Sequence, residues 1–330
     1  MPGRHGQTRP VTDQADPGWV RSGWGHRVDS QDEAFRAITR IVSLSANRRY
    51  VWRGCTNSAF RLRSSLLREL IVAEGEPLPN EQLVRQHEVA MLREAREWGL
   101  AVEMGPLASD LYLLAHLQHH GLPTRLLDVT YNPMTALWFA CEGGEDQAGV
   151  VFAFDVTALP THDTIDPHQR QTYGLQSDPH AWTLRRALRQ SALRSEPFLV
   201  RPTVPNPRMQ AQEGLFLSGA VPTTVMAGGI DGLPLRLGSP PGRDKLGALF
   251  SEGNRRAGRP ARLPFVALVI PARLKGTIRN HLTALNRTRA VLYPDVDGFR
   301  DAYRGEHVQL HPLPDVVPAQ DDAEAGPQSR

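Results

Sequence analysis

The chain has 330 residues, of which 40% are apolar, so it is long and apolar enough to bury a substantial core. Its 38 Lys and Arg side chains against 35 Asp and Glu give a net charge of +3 without blocks of one sign, which argues against a strongly basic nucleic-acid-binding or membrane-surface protein. Two cysteines are too few for a disulfide framework or a cysteine zinc site, and no apolar run approaches the ~20 residues of a membrane span.

The first part of the chain begins with a polar stretch and continues with both helices and strands. Residues 1–28 are rich in Gly, Pro, Arg and Asp, which predicts a disordered tail. Apolar residues at helical spacing predict a helix over Asp32–Ser45, and Tyr50–Gly54 has the composition of a short strand. Glu81–Trp98 has the pattern of a long amphipathic helix.

The central stretch predicts a helix, a sharp stop and a strand. Apolar residues recur at helical spacing over Leu107–His120. Gly121 follows where a helix end favours a left-handed residue, and Pro123 prevents the helix from continuing. Thr124–Val129 then has the composition of a short strand.

A second helix, apolar on nearly every face, is predicted directly after this strand, over Met134–Cys141. Asn132 and Pro133 suit its N-cap and first turn. The Asn side chain can accept a hydrogen bond from a backbone N–H that has no partner within the helix, and Pro has no N–H that would need a partner. Burying many polar groups between two such helices is costly unless they are paired or used. We therefore predict the active or binding site at the polar residues of this junction: Gln118, His119, His120, Thr124, Arg125, Asp128 and Thr130.

The second half of the chain is predicted to complete one α+β domain over residues 29–305. Its expected elements are internal strands at Gly149–Val156 and Phe265–Pro271, a helix at Ala181–Leu193, a strand edge at Arg208–Gly219, a strand at Ala290–Tyr293, a mobile insertion over 220–262 and a loose tail over 306–330. Strands and helices intermix irregularly, which favours a split mixed or antiparallel sheet flanked by helices over a doubly wound sheet.

Three sequence blocks in this order carry a family resemblance. They are Trp52-Arg53-Gly54, the long block Gln118–Ala140 and the block Arg208–Phe216, with a weaker match over Ile270–Tyr303. Together they resemble the FRG domain, which is named for an aromatic-Arg-Gly motif. This chain has Trp52 where the family usually has Phe or Tyr, and Val129 where it usually has Trp; both changes keep an apolar side chain and are expected to adjust packing only.

The order of these parts also resembles the ADP-ribosyltransferase pattern, which leaves an ADP-ribosyltransferase-like fold open. The resemblance implies that Arg53 holds the ribose and phosphate end of NAD, that Thr130 shapes the nicotinamide pocket, and that Gln212 or Glu213 bonds the ribose hydroxyl. His119 is our candidate for a direct role as a base or hydrogen-bond donor. A neutral Gln212 stabilises developing positive charge less well than a carboxylate, which weakens the case for transferase activity.

NAD is accordingly the expected substrate, either of an ADP-ribosyltransferase with a protein or nucleic acid as acceptor or of an NAD glycohydrolase, in a toxin-like or defence-type effector. We expect no metal, no membrane contact and a cytoplasmic location. The catalytic candidates are His119, Thr130, Gln212 and Glu213. The residues expected to bind the dinucleotide are Arg53, Gly54, Gln118, Gly121, Thr124, Arg125, Asp128 and Asn132.

Three other interpretations remain open at this point. The arginines could serve a non-catalytic nucleotide or nucleic-acid binding module, although all but two of the 38 basic side chains are arginines and each therefore carries little weight. His116, His119 and His120 share a helical face and could bind zinc with Asp128 in a hydrolase. Arg125 and Asp128 could simply pair with each other to fix the turn.

Overall fold

The computed structural model describes residues 18–44, 47–71, 77–100, 109–164, 183–203, 205–223, 231–253 and 262–304. The helices are α1 Gly18–Arg21, α2 Gln31–Ser43, α3 Ser65–Leu70, α4 Glu81–Glu97, α5 Asp110–His119, α6 Pro133–Cys141, α7 Thr183–Arg194, α8 Pro207–Ala211, α9 Arg243–Phe250, α10 Ala272–Ala284, α11 Arg289–Leu292 and α12 Val296–Arg304. The strands are β1 Gly25–Arg27, β2 Tyr50–Cys55, β3 Leu127–Thr130, β4 Gly149–Asp155, β5 Thr161–Asp163, β6 Phe198–Arg201, β7 Gly214–Ser218 and β8 Phe265–Ile270. None of these helices is long and apolar enough to cross a bilayer.

The strands form one mixed eight-stranded sheet in the order β1-β8-β4-β2-β3-β7-β6-β5. The outermost pairs, β1 with β8 and β5 with β6, are parallel, and the inner pairs are antiparallel. β2 pairs with β4 along its whole length but meets β3 only at Trp52 and Thr130. The sheet therefore has two halves joined by a single residue pair, and the predicted α+β class is confirmed.

Helices and long connections cover both faces of the sheet, which explains why its central strands are apolar throughout. Every residue of β4 and β8 is buried. On one face, α2, α6, α9 and α10 pack against a core that includes Trp52, Leu137 and Phe250. On the other face, Phe152 and Phe265 stack with their ring centres 5.9 Å apart. Burying each such side chain contributes about 2–3 kcal/mol before the entropy of ordering it is subtracted.

Helix α6 lies directly on β2, and its start is capped as the sequence predicts. The Asn132 side chain accepts from the backbone amides of Met134 and Thr135, and Pro133 occupies the first turn. At Gly54, a Cβ atom would lie 1.8 Å from the carbonyl oxygen of Ala136, so only glycine allows the helix to approach this strand so closely. The helix packing next to Arg53 thus depends on Gly54.

Two segments that were predicted to be loose are partly folded. Residues 18–28, assigned above to a disordered tail, contain α1 and β1, because Val20, Trp24 and Val28 are buried despite the polar composition around them. Within the predicted insertion 220–262, α9 buries Leu246 and Phe250 against α2. Residues 1–17, 224–230, 254–261 and 305–330, also included in those predictions, lie outside the described residues.

Two predicted strands near the site are wrong in part. Arg208–Gly219 begins as the short helix α8 and becomes strand β7 only at Gly214, because Asn206 caps a helix that starts at Pro207. Ala290–Tyr293 falls largely in helix α11, whose first turn is capped by the Thr288 hydroxyl. In both cases a capping side chain outweighs the strand-like composition that follows it.

Candidate functional site

A cavity of about 290 Å³ opens where β2 and β3 diverge on either side of the bridge between Trp52 and Thr130. One wall comes from β2, one from β3 and the end of α5, and one from α8, β7 and the residue after α11. The residues that line the cavity are Trp52, Arg53, Gly54, Gln118, His119, Asp128, Val129, Thr130, Phe139, Arg208, Met209, Gln212, Gly214, Leu215, Phe216 and Tyr293. The split in the sheet therefore creates the space that these side chains surround.

Arg53 projects into this cavity from β2. Its guanidinium donates to the backbone carbonyl of Asp128 at 2.7 Å and lies 3.8 Å from the Asp128 carboxylate. The Asp128 side chain is 60% exposed, whereas that of Arg53 is 19% exposed. The carbonyl thus fixes the guanidinium, and the partial contact with an exposed carboxylate leaves donors available for an anionic ligand.

Gln118, at the end of α5, links the cavity to the protein interior. Its side-chain oxygen accepts from the Thr124 hydroxyl at 2.7 Å, and its side-chain nitrogen donates to Asp128 at 3.1 Å. The same Thr124 hydroxyl accepts from the backbone amide of Leu126. The amide of Gln118 is therefore fixed at both ends, and it orients Asp128 rather than presenting free groups to a ligand.

His119 lines the cavity from the last turn of α5. Burial, reinforced by the neighbouring His120 and Arg208, lowers its pKa below the usual value, although Asp295 opposes this effect. Within the described part of the chain, no hydrogen bond is recorded for its imidazole. A neutral imidazole in a cavity that has no hydrogen-bond partner among the described residues can accept a proton from a ligand or from water.

Gln212 and Thr130 are connected across the floor of the cavity. The Thr130 hydroxyl donates to the backbone carbonyl of Gln212 at 2.6 Å and accepts from the amide of Asn132. The Gln212 side-chain nitrogen donates to the carbonyl of Leu292 at 2.9 Å. Thr130 is therefore a structural tie with a fully used hydroxyl, whereas the side-chain oxygen of Gln212 has no recorded partner among the described residues.

Arg208 and Tyr293 complete the cavity and were not among the predicted site residues. The Arg208 guanidinium lies 4.2 Å from the centre of the Tyr293 ring, and the Arg289 guanidinium lies 5.1 Å from the same ring centre. Burial and the charge of Glu142 raise the pKa of Tyr293 in spite of Arg208. Arg208 begins the third of the sequence blocks, and this position was the one available signal in a chain where arginine is common.

Comparison with known families matches residues 48–148 to the FRG domain. The chain contains an FRG domain. Neither the comparison with curated proteins nor the comparison with solved structures gives a match. The matched residues run from just before β2 to just before β4 and include Arg53, Gln118, His119 and Asp128. The opposite wall of the cavity, with Arg208, Gln212 and Tyr293, lies beyond the matched segment of the FRG domain.

Two predicted binding residues of the FRG domain face the interior instead of the cavity. Arg125 is buried, with a bidentate pair to Glu88 at 2.6 Å and a further contact to Glu81 at 3.0 Å. Burial alone would lower its pKa, but the two glutamates raise it. Thr124 is buried as well, and its hydroxyl donates to the side-chain oxygen of Gln118. The suggested pair between Arg125 and Asp128 is therefore wrong.

Three further candidates support the backbone near the cavity without lining it. Gly121 has φ +83° and ends α5. Its backbone amide donates to the backbone carbonyl of Gln118, and the amide of Leu122 donates to the carbonyl of Leu117. Asn132 caps α6 and also donates to Glu213 at 2.8 Å. Glu213, at φ +50°, additionally contacts Arg287 at 3.2 Å, so its carboxylate points away from the cavity and is engaged there.

The histidines of the FRG domain do not assemble a metal site with Asp128. His116 and His119 each contact the His120 ring, at centre-to-centre distances of 4.6 and 5.1 Å. Asp128 instead faces Arg53 and Gln118. In the described ranges no group of three His, Cys, Asp or Glu side chains is arranged to hold a metal ion.

A second, larger cavity of about 750 Å³ adjoins the first. Four residues border both cavities: Arg53, Gly54, Phe139 and Tyr293. The remaining lining residues come mainly from the connection between β2 and α3, and three of them are arginines: Arg61, Arg63 and Arg68. The two cavities together form one cleft whose first part is aromatic and whose second part is basic.

Proposed function

We propose that this FRG-domain protein binds NAD in the cleft and cleaves the bond between nicotinamide and ribose, releasing ADP-ribose to water or to an acceptor. The observation that carries the proposal is that Arg53, His119 and Gln212 line one cavity although they lie far apart in the sequence. A permanent cation, a neutral imidazole and a carboxamide with a free oxygen that converge on one cavity are typical of a ligand-binding or active site.

Each of these groups has a role in this reaction. Arg53 binds the ribose and phosphate side of NAD, because its guanidinium keeps its charge and donates in pairs. The free oxygen of Gln212 accepts from a ribose hydroxyl and holds the sugar in place. Trp52 and Phe139 offer apolar and aromatic surface to the nicotinamide ring.

The bond changes balance without an oxidant or a metal. The carbon–nitrogen bond breaks, and its electron pair leaves with nicotinamide, which becomes neutral as positive charge develops on the ribose. The oxygen of water, or of an acceptor hydroxyl, then bonds to the ribose carbon, and His119 takes the proton that this oxygen loses. Its lowered pKa keeps the imidazole in the basic form near neutral pH.

The decisive experiment is the release of nicotinamide from NAD by the purified full chain, with His119→Gln and His120→Gln as a matched pair. The two histidines are neighbours at the end of α5, but His120 is exposed and does not line the cavity. We expect His119→Gln to lower the rate by about 10²-fold or more and His120→Gln to change it less than about threefold. Equal rates in both variants, or no nicotinamide release by the wild type, would refute the proposal.

A second candidate is a non-catalytic module that binds a nucleotide. It is favoured by Glu213, whose carboxylate is held outside the cavity by Asn132 and Arg287, so that Asp128 is the lone carboxylate among the described lining residues. This candidate predicts that NAD raises the thermal unfolding midpoint of the wild type but not of Arg53→Met, while no nicotinamide is released.

A further inference from the structure

The basic annex, defined as the second cavity with Arg61, Arg63 and Arg68, has a built charge arrangement. Arg61 donates to Asp231 at 2.7 Å, and Arg63 contacts the same carboxylate at 3.2 and 2.5 Å. Asp231 is completely buried. One hidden carboxylate thus positions two guanidinium groups, which reduces the entropy that a ligand would otherwise lose in ordering them.

The annex carries more positive than negative charge at its surface. Asp231 neutralises one of the two arginines that it holds. Arg68 donates to the backbone carbonyl of Arg63, and no carboxylate partner is recorded for it among the described residues. Glu142, the one acidic residue among the described residues of its lining, is paired with Arg289. Among the described residues, Arg61, Arg63 and Arg68 together with Asp231 therefore leave about two positive charges uncompensated, which matches the two negative charges of a diphosphate.

The sizes of the two cavities point to a ligand with two parts. The first cavity, at about 290 Å³, is at the lower end of the range of ~300–1,000 Å³ for small-molecule sites. It has room for one ring and one sugar. The annex of about 750 Å³ continues past Arg53, Phe139 and Tyr293 and can take the remainder.

We propose that the basic annex binds the diphosphate and the adenosine end of the ligand, so that this site selects diphosphate-linked dinucleotides over nucleosides and mononucleotides. The inference rests on the proposed function, because it assumes that the nicotinamide end occupies the first cavity. Arg53 lies between the two cavities and contacts the diphosphate from the inner side, while Arg61 and Arg68 contact it from the outer side. Arg63 keeps its pair with Asp231.

The test is calorimetric titration of the full chain with ADP-ribose, AMP and adenosine, in the wild type, Arg61→Gln and Arg68→Ala. Each variant removes one exposed guanidinium and leaves Arg63 with Asp231, so the fold is preserved. Arg201→Ala is the matched control, because Arg201 is also an exposed arginine with an acidic partner, Asp163, but lies at β6 and lines neither cavity. Thermal unfolding of all four proteins checks the fold.

We expect each annex variant to weaken the binding of ADP-ribose about tenfold, the value of one lost charge-assisted hydrogen bond. The control should change it less than twofold, and the wild type should bind ADP-ribose, AMP and adenosine in decreasing order of affinity. Unchanged binding of ADP-ribose by both variants would overturn the inference even if NAD is cleaved. Annex-dependent binding without nicotinamide release would support the inference and refute the proposed cleavage.

Discussion

The polar junction between residues 118 and 132 has an interior side and a cavity side, and the two differ in how completely their charges are paired. On the interior side, Arg125 and Glu88 are both 3% exposed and form a bidentate pair, with Glu81 beside them. On the cavity side, Arg53 faces a backbone carbonyl and an exposed carboxylate 3.8 Å away. Residues only three positions apart, Arg125 and Asp128, therefore belong to different structural units.

This difference separates a stabilising cluster from a candidate site. A buried cation that is fully paired has no donors left for a ligand, and removing one partner leaves a charge without compensation. A partly paired cation near solvent contributes little to stability but retains capacity for binding. Clustering of polar residues in the sequence is thus a poor guide to function, whereas their degree of pairing in the structure distinguishes the two sides.

The largest effect should come from breaking the interior side. Arg125→Met leaves Glu88 buried without its partner, and we expect the free energy of unfolding to fall by about 3–5 kcal/mol. Arg53→Met, the same change on the cavity side, should cost less than about 1 kcal/mol, because its partner carboxylate is exposed. Urea-induced unfolding followed by circular dichroism measures both. Similar losses in the two variants would show that the two sides do not differ as described.

An intermediate effect should come from the residue that joins the two sides. Gln118→Met removes the acceptor of the Thr124 hydroxyl and the donor to Asp128, and we expect a loss of about 1–2 kcal/mol. Asp128→Asn should cost less than about 0.5 kcal/mol, because that side chain is mostly exposed. The same unfolding measurement applies. If Asp128→Asn were the more destabilising change, the interior link through Thr124 would be unimportant.

The local signals in the sequence predicted much of the framework around these residues. The glycine after α5, the Asn-Pro start of α6 and the apolar strands β4 and β8 follow from turn, cap and hydrophobic patterns that act over a few residues. The sequence blocks also led us to predict that Arg53, His119 and Gln212 surround one cavity, and all three line it. These features depend on short-range chemistry, or on a resemblance that covers the relevant segments.

The pairing partners could not be read from the sequence, because they depend on long-range packing. Glu88 reaches Arg125 from a helix 37 positions earlier, and Asp128 was the nearer acidic residue. Gln212 and Glu213 are neighbours, yet the positive φ of Glu213 turns its carboxylate toward Asn132 and Arg287. Tyr293 lines the cavity from the end of a short helix that the composition suggested was a strand.

The smallest effect concerns pH, and it distinguishes the cavity side from the interior side by titration. Burial lowers the pKa of His119 below the ordinary histidine value of about 6.5, so between that value and the lowered pKa the unfolded chain binds more protons than the folded protein. The free energy of unfolding therefore falls as the pH drops through about 6.5 toward the lowered pKa, and it is restored as the pH rises above 6.5.

When the pH is lowered from about 7.5 to about 5.5, His119→Gln should lose less stability than the wild type. Burial also lowers the pKa of His162, but this histidine contributes equally to both proteins. Urea unfolding at the two pH values gives the comparison, with His120→Gln as the control that should follow the wild type. A protein built only for stability would gain from a charged, paired group at this position, so a measured acid penalty that disappears with His119→Gln would indicate that the cavity keeps a neutral imidazole at a cost to its own stability.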